Sequence, residues 1–505
     1  MTRRSFLFQG AAAFGLGGMA LFAAPPGWRP KKRPNVVFGV LADTHFRTDG
    51  EWRRGVKSGR YFASALECFR DRNVDAVAIC GDMADRGLVD EMQFHADIWR
   101  RVFPENRAPD GHVVEKLFVT GNHDVHAWRK DFDFSRLIPD RAKWPEKILR
   151  EDIYGNWERI WGEKYEPVWC KKVRGYHFFG LNWDVAESEL LRTIARNADG
   201  VRPYFFVSHN RTHREFNREI AKYPGGVGLW GHWHQSATNW MVVKMLNATT
   251  PSVQCPACPS WWRPDGRWMG GGDGGIVDVP LQGKLQAGKW QQGYVMYVYD
   301  DMLVIERREF SKGGCLGANW VMPLGPGEEL RKRDVAWRHP FSREELKKVI
   351  GTPQFRKGAK LAFPALSGSC VKIQIPLADG CPESRVYGYK IEVVGRKAGE
   401  REGGDACLQD RKPSDSQTLV KAVYAVGANM GAGQEPNGGI TELDMPKSEL
   451  PSGNMLIFTV TPFTSLSTFG KPITACLRLG DGNGVNVTEA SPIGERGKTS
   501  LLSHS

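Results

Sequence analysis

Five short blocks in the first half of the chain concentrate carboxylate, imidazole and amide side chains. They are Asp43-x-His45, Gly81-Asp82-x-x-Asp85, Gly121-Asn122-His123-Asp124, Ser208-His209 and Gly231-His232-x-His234. A histidine pair two residues apart is, taken alone, more often incidental than a pair of ligands. The other blocks change that reading. Asp43, His45, Asp82, Asn122, His209, His232 and His234 offer seven oxygen or nitrogen donors, enough for two metal ions if the fold collects them at one place.

The segments that carry these blocks say how they are collected. "NVVFGVLADTH", "VDAVAICGDMAD", "EKLFVTGNHD", "YHFFGLNWD", "PYFFVSHN" and "GGVGLWGHWH" are each a continuous apolar run, the pattern of a strand buried on both faces. Five of the six stop at a candidate ligand; "YHFFGLNWD" stops at Asn182. Between them, "GRYFASALECFRDRN" and "VDEMQFHADIWRRVF" space apolar residues three and four apart, as amphipathic helices do. The alternation implies an α/β unit with crossover connections and helices on both faces of a buried sheet. In such sheets ligands bind outside the carboxyl ends of the strands. The seven donors therefore meet at one rim.

In this order and spacing, over about residues 35 to 235, the five blocks resemble the signature of calcineurin-like metallophosphoesterases. The resemblance implies a four-layer αββα sandwich. It further implies that Asp43, His45 and His234 hold one metal, that Asn122, His209 and His232 hold the other, and that Asp82 bridges them. Mixed carboxylate and imidazole ligation suits Mn, Fe or Zn, as divalent or trivalent ions, more than Mg or Ca. A pair of cations ~3.5–4 Å apart clamps phosphoryl oxygens and lowers the pKa of a bound water toward about 7. The implied reaction is hydrolysis of a phosphomonoester or phosphodiester by a metal-bound hydroxide. His123 and the ligand Asn122 beside it are implied to touch the substrate, and His123 to protonate the leaving oxygen. Asp124 either fixes the His123 tautomer or caps the segment that follows. Asp85 stands where purple acid phosphatases carry a tyrosine ligand, so their tyrosinate-to-iron absorption is not expected.

The stretch from Cys255 to Trp290 is rich in Gly, Trp and Asp, and it resembles the "C-x-SWW…DG…GY" region of exported bacterial members of the family. Trp261 and Trp262 there either wall the substrate cleft or plug a sheet edge. Cys255 and Cys258 form a single CxxC with no second pair at zinc spacing, so a local disulfide or two packed thiols is expected. "GYVMYVYDDMLVIERREF" reads as a hairpin around Asp300-Asp301 that completes a second sheet of the catalytic domain. A linker, 323–360, follows with one short helix near "SREELKKVI". From 361 to 480, "SCVKIQIP", "VYGYKIEVVG", "LVKAVYAVG", "MLIFTVTPF" and "KPITACLRLG" are short β-type segments. They predict a β-sandwich that resembles fibronectin type III modules. Residues 481–505 are a polar tail. The catalytic domain is then 33–322.

The first 32 residues read as an export signal and linker: a basic start, an apolar stretch from Phe6 to Ala24, then proline. "TRRSFL" resembles the twin-arginine motif, with general secretion as the alternative. Export to the periplasm or outside the cell is expected, and an uncleaved signal leaves a membrane anchor open. Arg3, Arg4, Arg29, Lys31, Lys32 and Arg33 supply half of the formal net charge of +12. The remainder is too dispersed for a nucleic-acid footprint. The expected partner is a small phosphate ester, including a glycan or nucleotide, and no nucleic acid. A nuclease of the same fold and a non-catalytic scaffold protein are the alternatives; a scaffold would be expected to have lost ligands, and none is missing here.

Overall fold

The strands that carry the ligand blocks form where the apolar runs lie: β1 Val36–Leu41, β2 Ala76–Cys80, β3 Glu115–Val119, β4 Val168–Val173, β5 Tyr176–Leu181, β6 Tyr204–Ser208 and β7 Gly226–Trp230. After them come β8 Val243–Met245, β9 Pro251–Gln254, β10 Gln292–Val298, β11 Met302–Glu309 and β12 Asn319–Pro323. The computed structural model describes residues 23–24, 29–47, 55–126, 133–256, 279, 281–282, 291–310, 313–325, 339, 341–364, 366–367, 369–380, 384–396, 418–426, 436–453, 455–479 and 485–486. Most of the expected export signal, the pair Trp261 and Trp262, Cys258 and nearly all of the polar tail lie outside these residues.

Two mixed sheets result. The first runs β12-β11-β10-β1-β2-β3, with β1, β2 and β3 parallel and β10 antiparallel to β1. The second runs β4-β5-β6-β7-β9-β8, parallel except for β4 and β8 at its two edges. The sheets face one another. Phe38, Ala78 and Val119 from the first share a core with Phe178, Phe205, Val207 and Val227 from the second. The Phe38 ring meets Phe178 and Phe205 edge-on, at 5.3 and 5.2 Å between centroids. Each such ring stabilises the fold by ~1.5–3 kcal/mol.

Among the described residues, the longer helices cover the outer faces. α1 Gly55–Arg70 and α2 Val89–Val102 lay Phe62, Leu66, Phe69, Met92 and Trp99 on Leu41, Val77 and Ile79 of the first sheet. Leu190 and Ile194 from the helix Glu187–Asn197, with Phe216 from Arg214–Glu219, do the same for Phe179 and Phe206 of the second. The layers are therefore α, β, β, α. Helices on both faces of a single sheet, the expectation from strand and helix alternation, do not occur among the described residues; the inner face of each sheet is buried by the other sheet. The hairpin β10–β11 turns at Asp300-Asp301 as read, but it extends the sheet that holds β1 rather than the other one.

The C-terminal part is β-rich. Cys370–Ile375 and Thr441–Pro446 pair in one small sheet, while Gly388–Arg396, Thr418–Tyr424, Met455–Phe463 and Ile473–Leu479 pair in another. Burial alternates along Cys370–Ile375, and Val371, Ile373 and Ile375 share a core with Tyr389, Ile391, Val393, Phe458 and Val460. Leu281–Gln282, from the stretch read as part of the catalytic domain, adds to this C-terminal sheet beside Thr418–Tyr424. The two units touch. Leu466 joins the inter-sheet core of the first, and the Trp240 amide donates to Ser465 Oγ at 2.9 Å. The short helix Arg343–Val349 lies where the linker was expected to carry one.

At the start of α2, buried Glu91 accepts the amides of Arg86 at 2.8 Å and Leu88 at 3.4 Å. Burial pushes its carboxyl up to about 8 from an ordinary 4.5, against the pull of those amides. A carboxyl raised on folding makes the folded state hold its proton more tightly than the unfolded chain does. Stability is then greatest below pH 4.5, falls as pH rises between 4.5 and about 8, and levels off above. Glu91→Gln keeps an acceptor without the charge, so denaturant unfolding of the variant should lose less stability than wild type between pH 5 and pH 8.5, by about 2–4 kcal/mol. Equal losses in the two proteins would show that Glu91 does not ionise across this range.

Candidate metal centre

Each ligand block leaves the carboxyl end of a parallel strand: Asp43 and His45 after β1, Asp82 after β2, Asn122 after β3, His209 after β6, and His232 and His234 after β7. Three strands belong to one sheet and two to the other, so the site straddles the rim where the sheets abut. The backbone there is forced. Asp43, His45, Asp82, His232 and His234 all adopt the left-handed region, at φ of 54°, 44°, 54°, 70° and 49°. Each costs about 1 kcal/mol or more for a residue with a Cβ, and such strain concentrates at functional sites. Cross-strand hydrogen bonds hold it in place. The amides of Asp43 and His45 donate to the carbonyls of Gly81 and Asp82, each at 3.0 Å. The His232 amide reaches across to the Asp43 carboxylate at 3.0 Å.

Two glycines make this approach possible. Gly81 has φ 81°, and a Cβ on it would stand 2.5 Å from His209 Nδ1. A Cβ on Gly121 would overlap Asp82 Oδ1 and the Asp82 backbone nitrogen. Gly121→Ala must therefore displace Asp82. Metal content and turnover should fall by about tenfold or more while the melting transition persists. An alanine variant with full metal content would contradict that tight fit.

The donor atoms converge in two adjoining sets. In one, His234 Nε2 lies 3.1 Å from both His45 Nε2 and Asp43 Oδ1. In the other, His209 Nε2 lies 3.0 Å from Asp82 Oδ2, 3.1 Å from Asn122 Oδ1 and 3.1 Å from His232 Nδ1. Asp82 Oδ2 is also 3.7 Å from His45 Nε2, so it adjoins both sets. Donors ~2.0–2.2 Å from a shared transition metal stand about 3 Å from one another, so the spacing fits. The hydrogen bonding fits as well. His209 Nδ1 lies 2.8 Å from the Cys80 carbonyl, to which it donates, leaving Nε2 as a lone-pair donor. Facing it are a carboxylate oxygen, an amide oxygen and another imidazole nitrogen, a cluster of acceptors that needs a positive charge at its centre. Burial opposes protonation of His209, but the Asp82 charge raises it to about 9, whereas burial and then His209 push His232 down to about 4.

Residues 36–236 match the family described as calcineurin-like phosphoesterase. That segment is a calcineurin-like phosphoesterase domain. No curated protein matches the chain. Among solved structures it is similar to a dimetal phosphatase from Danio rerio, with 13% identity, 58% of this chain and 100% of that one covered, and a TM-score of 0.30. It is also similar to a purple acid phosphatase from yellow lupin, with 12% identity, 60% and 57% covered, and a TM-score of 0.37. A third is a sulfate thiohydrolase from Thermus thermophilus in complex with glycerol, with 10% identity, 79% and 90% covered, and a TM-score of 0.30. The chain is a phosphoester hydrolase of this class, and its aspartates and histidines form groups that can hold metal.

Within the phosphoesterase domain, the carboxylate that serves His123 is Asp85. His123 Nδ1 donates to the Asp85 carbonyl at 2.8 Å and lies 3.4 Å from the Asp85 carboxylate. The same carboxylate stands 3.2 Å from His45 Nδ1 and 3.1 Å from Arg47 Nε. Asp124 faces elsewhere: it accepts the backbone amides of Asp82 at 2.9 Å, Ala84 at 2.8 Å and Gly121 at 2.8 Å. Both of its readings are corrected: these amides belong to the turn Asp82–Ala84 and to Gly121, not to the segment that follows Asp124, and Asp124 does not orient His123. Burial, then the Asp82 charge, raises the Asp124 carboxyl to about 7. For His123 burial opposes protonation, yet Asp82 and Asp85 outweigh it and hold the imidazole up at about 9. Trp183, which sequence reading passed over, lies edge-on to His209 at 5.5 Å and tilted to His232 at 6.0 Å. Its position one residue after Asn182, at the end of β5, was the available signal.

Proposed function

We propose that this chain is an exported, dinuclear metal-dependent phosphoesterase acting on a small phosphate ester, a monoester or a diester, including glycan and nucleotide substrates. The convergence of seven acceptor groups into two sets that share Asp82 is the observation that supports it. Asp43, His45 and His234 would hold one ion and Asn122, His209 and His232 the other, with Asp82 between them. Mn, Fe or Zn ions held there would supply positive charge to the phosphoryl oxygens and would acidify the attacking water.

The chain's own residues do the rest. Asp85, at His123 Nδ1, favours the imidazolium, the form with a proton at Nε2 to give. As water adds to phosphorus and the ester bond breaks, that proton passes to the leaving oxygen. The His123 amide donates to Asp82 Oδ1 at 2.8 Å, which fixes the distance between acid and ligand. Asp124 holds the turns that carry Asp82 and Gly121. Trp261 and Trp262 are proposed to wall the cleft, and the C-terminal β unit, read as fibronectin III-like, to be an accessory module. The basic, apolar, proline-ended N-terminus supports export by the twin-arginine route.

The test uses a phosphomonoester and a phosphodiester with the same leaving group, assayed with added Mn on protein taken from separated cell fractions. Activity in the exported fraction on either ester is the expected outcome, and the ratio of kcat/KM values assigns the substrate type. Protein found only in the cytoplasm would refute export, and inertness toward both esters would refute the substrate class.

A further inference from the structure

We propose, resting on the reading that Asp43 and His45 bind a metal ion, that His95 is a positioning residue which holds, through Thr44, the turn that presents both. Thr44 stands between the two ligands and is fully buried. Both its neighbours sit in the left-handed region, at φ of 54° and 44°, so the turn needs outside support to keep its shape. Backbone bonds to Gly81 and Asp82 supply part of it. The rest comes from α2, which covers the outer face of the first sheet. His95 Nε2 lies 2.8 Å from Thr44 Oγ1, and Phe46, the residue after His45, stacks on Phe94 at 3.8 Å between ring centroids. Thr44 Oγ1 also lies 3.2 Å from the Met83 carbonyl, in the turn that follows Asp82. One hydroxyl thus joins the helix to both ligand turns. One helical turn before His95, Glu91 accepts the Arg86 and Leu88 amides, so α2 also holds the far end of the Asp82 turn.

The surroundings of the ring say why a histidine stands there. His95 is 1% exposed, and its ring meets Phe62 edge-on at 4.7 Å and Phe46 at 5.9 Å. An aliphatic side chain would fill that space without burying two polar nitrogens. What it could not supply is an acceptor for Thr44. Nδ1 lies 3.0 Å from the Glu91 carbonyl, which can only accept, so Nδ1 carries the ring proton. Burial keeps the ring neutral, pushing it down to about 4 from 6.5 against the pull of that carbonyl. Nε2 is then an acceptor, and the Thr44 hydroxyl donates to it. The Glu91 bond fixes the ring, and the ring fixes the hydroxyl. Turning Thr44 would swing Asp43 Oδ1 and His45 Nε2 away from His234 Nε2, which lies 3.1 Å from each.

The experiment is titration of Mn into the metal-stripped full chain, reading the affinity of each site in wild type, Thr44→Val, Thr44→Ser, His95→Leu and His95→Gln. Valine keeps the shape of threonine without the hydroxyl, and leucine fills the ring's space without an acceptor. Serine keeps the hydroxyl, and glutamine brings an amide oxygen near the position of Nε2. Thr44→Val and His95→Leu should each weaken one Mn site by about tenfold or more and leave the other near wild type. Thr44→Ser and His95→Gln should recover most of that loss. The double variant Thr44→Val/His95→Leu should bind no more weakly than the worse single variant, because both remove one bond. In a His45→Ala background, which lacks the affected site, Thr44→Val should leave the remaining site unchanged. A role in stability alone would lower the melting temperature of the variants without weakening one site selectively. Wild-type affinity at both sites in Thr44→Val and His95→Leu, or equal weakening of the two sites, would overturn the proposal. Where one substitution prevents folding, the other reads the same hydrogen bond. Wild type that binds no Mn would refute the metal centre itself, whereas two Mn bound with unchanged affinity in the variants would refute only the role of His95.

Discussion

Replacing Asp82 with alanine should empty both halves of the metal centre and lower kcat/KM by at least about a thousandfold. No other side chain is placed to do as much. Its Oδ2 lies 3.0 Å from His209 Nε2 in one donor set and 3.7 Å from His45 Nε2 in the other. Its Oδ1 accepts the His123 amide at 2.8 Å, so the same truncation also frees the proposed acid. Without the carboxylate, the imidazoles of His45, His209 and His232 are left facing one another with less negative charge to attract a cation. Asp82 contributes little to the apolar cores, and the sheets close without it, so circular dichroism and the melting transition should stay near wild type. Metal analysis of the purified variant decides the matter. Normal content at both positions would remove Asp82 from its bridging role.

The second large effect is expected at His123. His123→Ala should retain both metals and lower kcat by ~10²–10⁴ on esters with poor leaving groups. The loss should shrink as the leaving group becomes more acidic, because a stable alkoxide or phenoxide departs without a proton. Turnover of a series of aryl phosphates graded by phenol pKa measures this directly. A steeper dependence on leaving-group pKa in the variant is the expected sign. Unchanged rates on the poorest leaving group would show that His123 donates no proton, whatever its contacts with Asp85.

The positions of the converging donors were legible because five of the six apolar runs end on one. A strand stops at a parallel sheet's rim, and the residue types found there are those of the site, not of the core. Layering was less legible. The runs of β1 and β6 record burial on both faces, but an apolar face looks the same whether a helix or a second sheet covers it. That is why a single helix-covered sheet followed from alternation, while the four layers were implied only by the family resemblance. The β10–β11 hairpin was readable from its alternation and its Asp300-Asp301 turn, but nothing local to it specifies which sheet edge it joins.

The carboxylate partner of His123 illustrates a finer limit. Asp124 is adjacent in sequence and Asp85 is 38 positions away, so sequence proximity favours the former. The left-handed turn at Asp82 brings Asp85 back toward the site, and the short helix at Asn122–His126 turns Asp124 inward onto amides. Side-chain direction depends on those dihedral angles, which residue types alone do not specify. The segment between Val125 and Tyr176 has no fold that residue types alone specify. Its described part is a series of short helical turns leading to Ile153–Trp161, whose Trp157 and Trp161 join the core under the first sheet, followed by edge strand β4.

The measurement that bears most directly on the central claim is metal stoichiometry coupled to turnover in the wild-type chain. Elemental analysis should find about two transition-metal ions per chain. Chelation should abolish phosphoester hydrolysis, and returning Mn, Fe or Zn should restore it in proportion to the metal bound. A chain that binds no metal after reconstitution, or that hydrolyses phosphoesters equally well when stripped of it, would contradict the account.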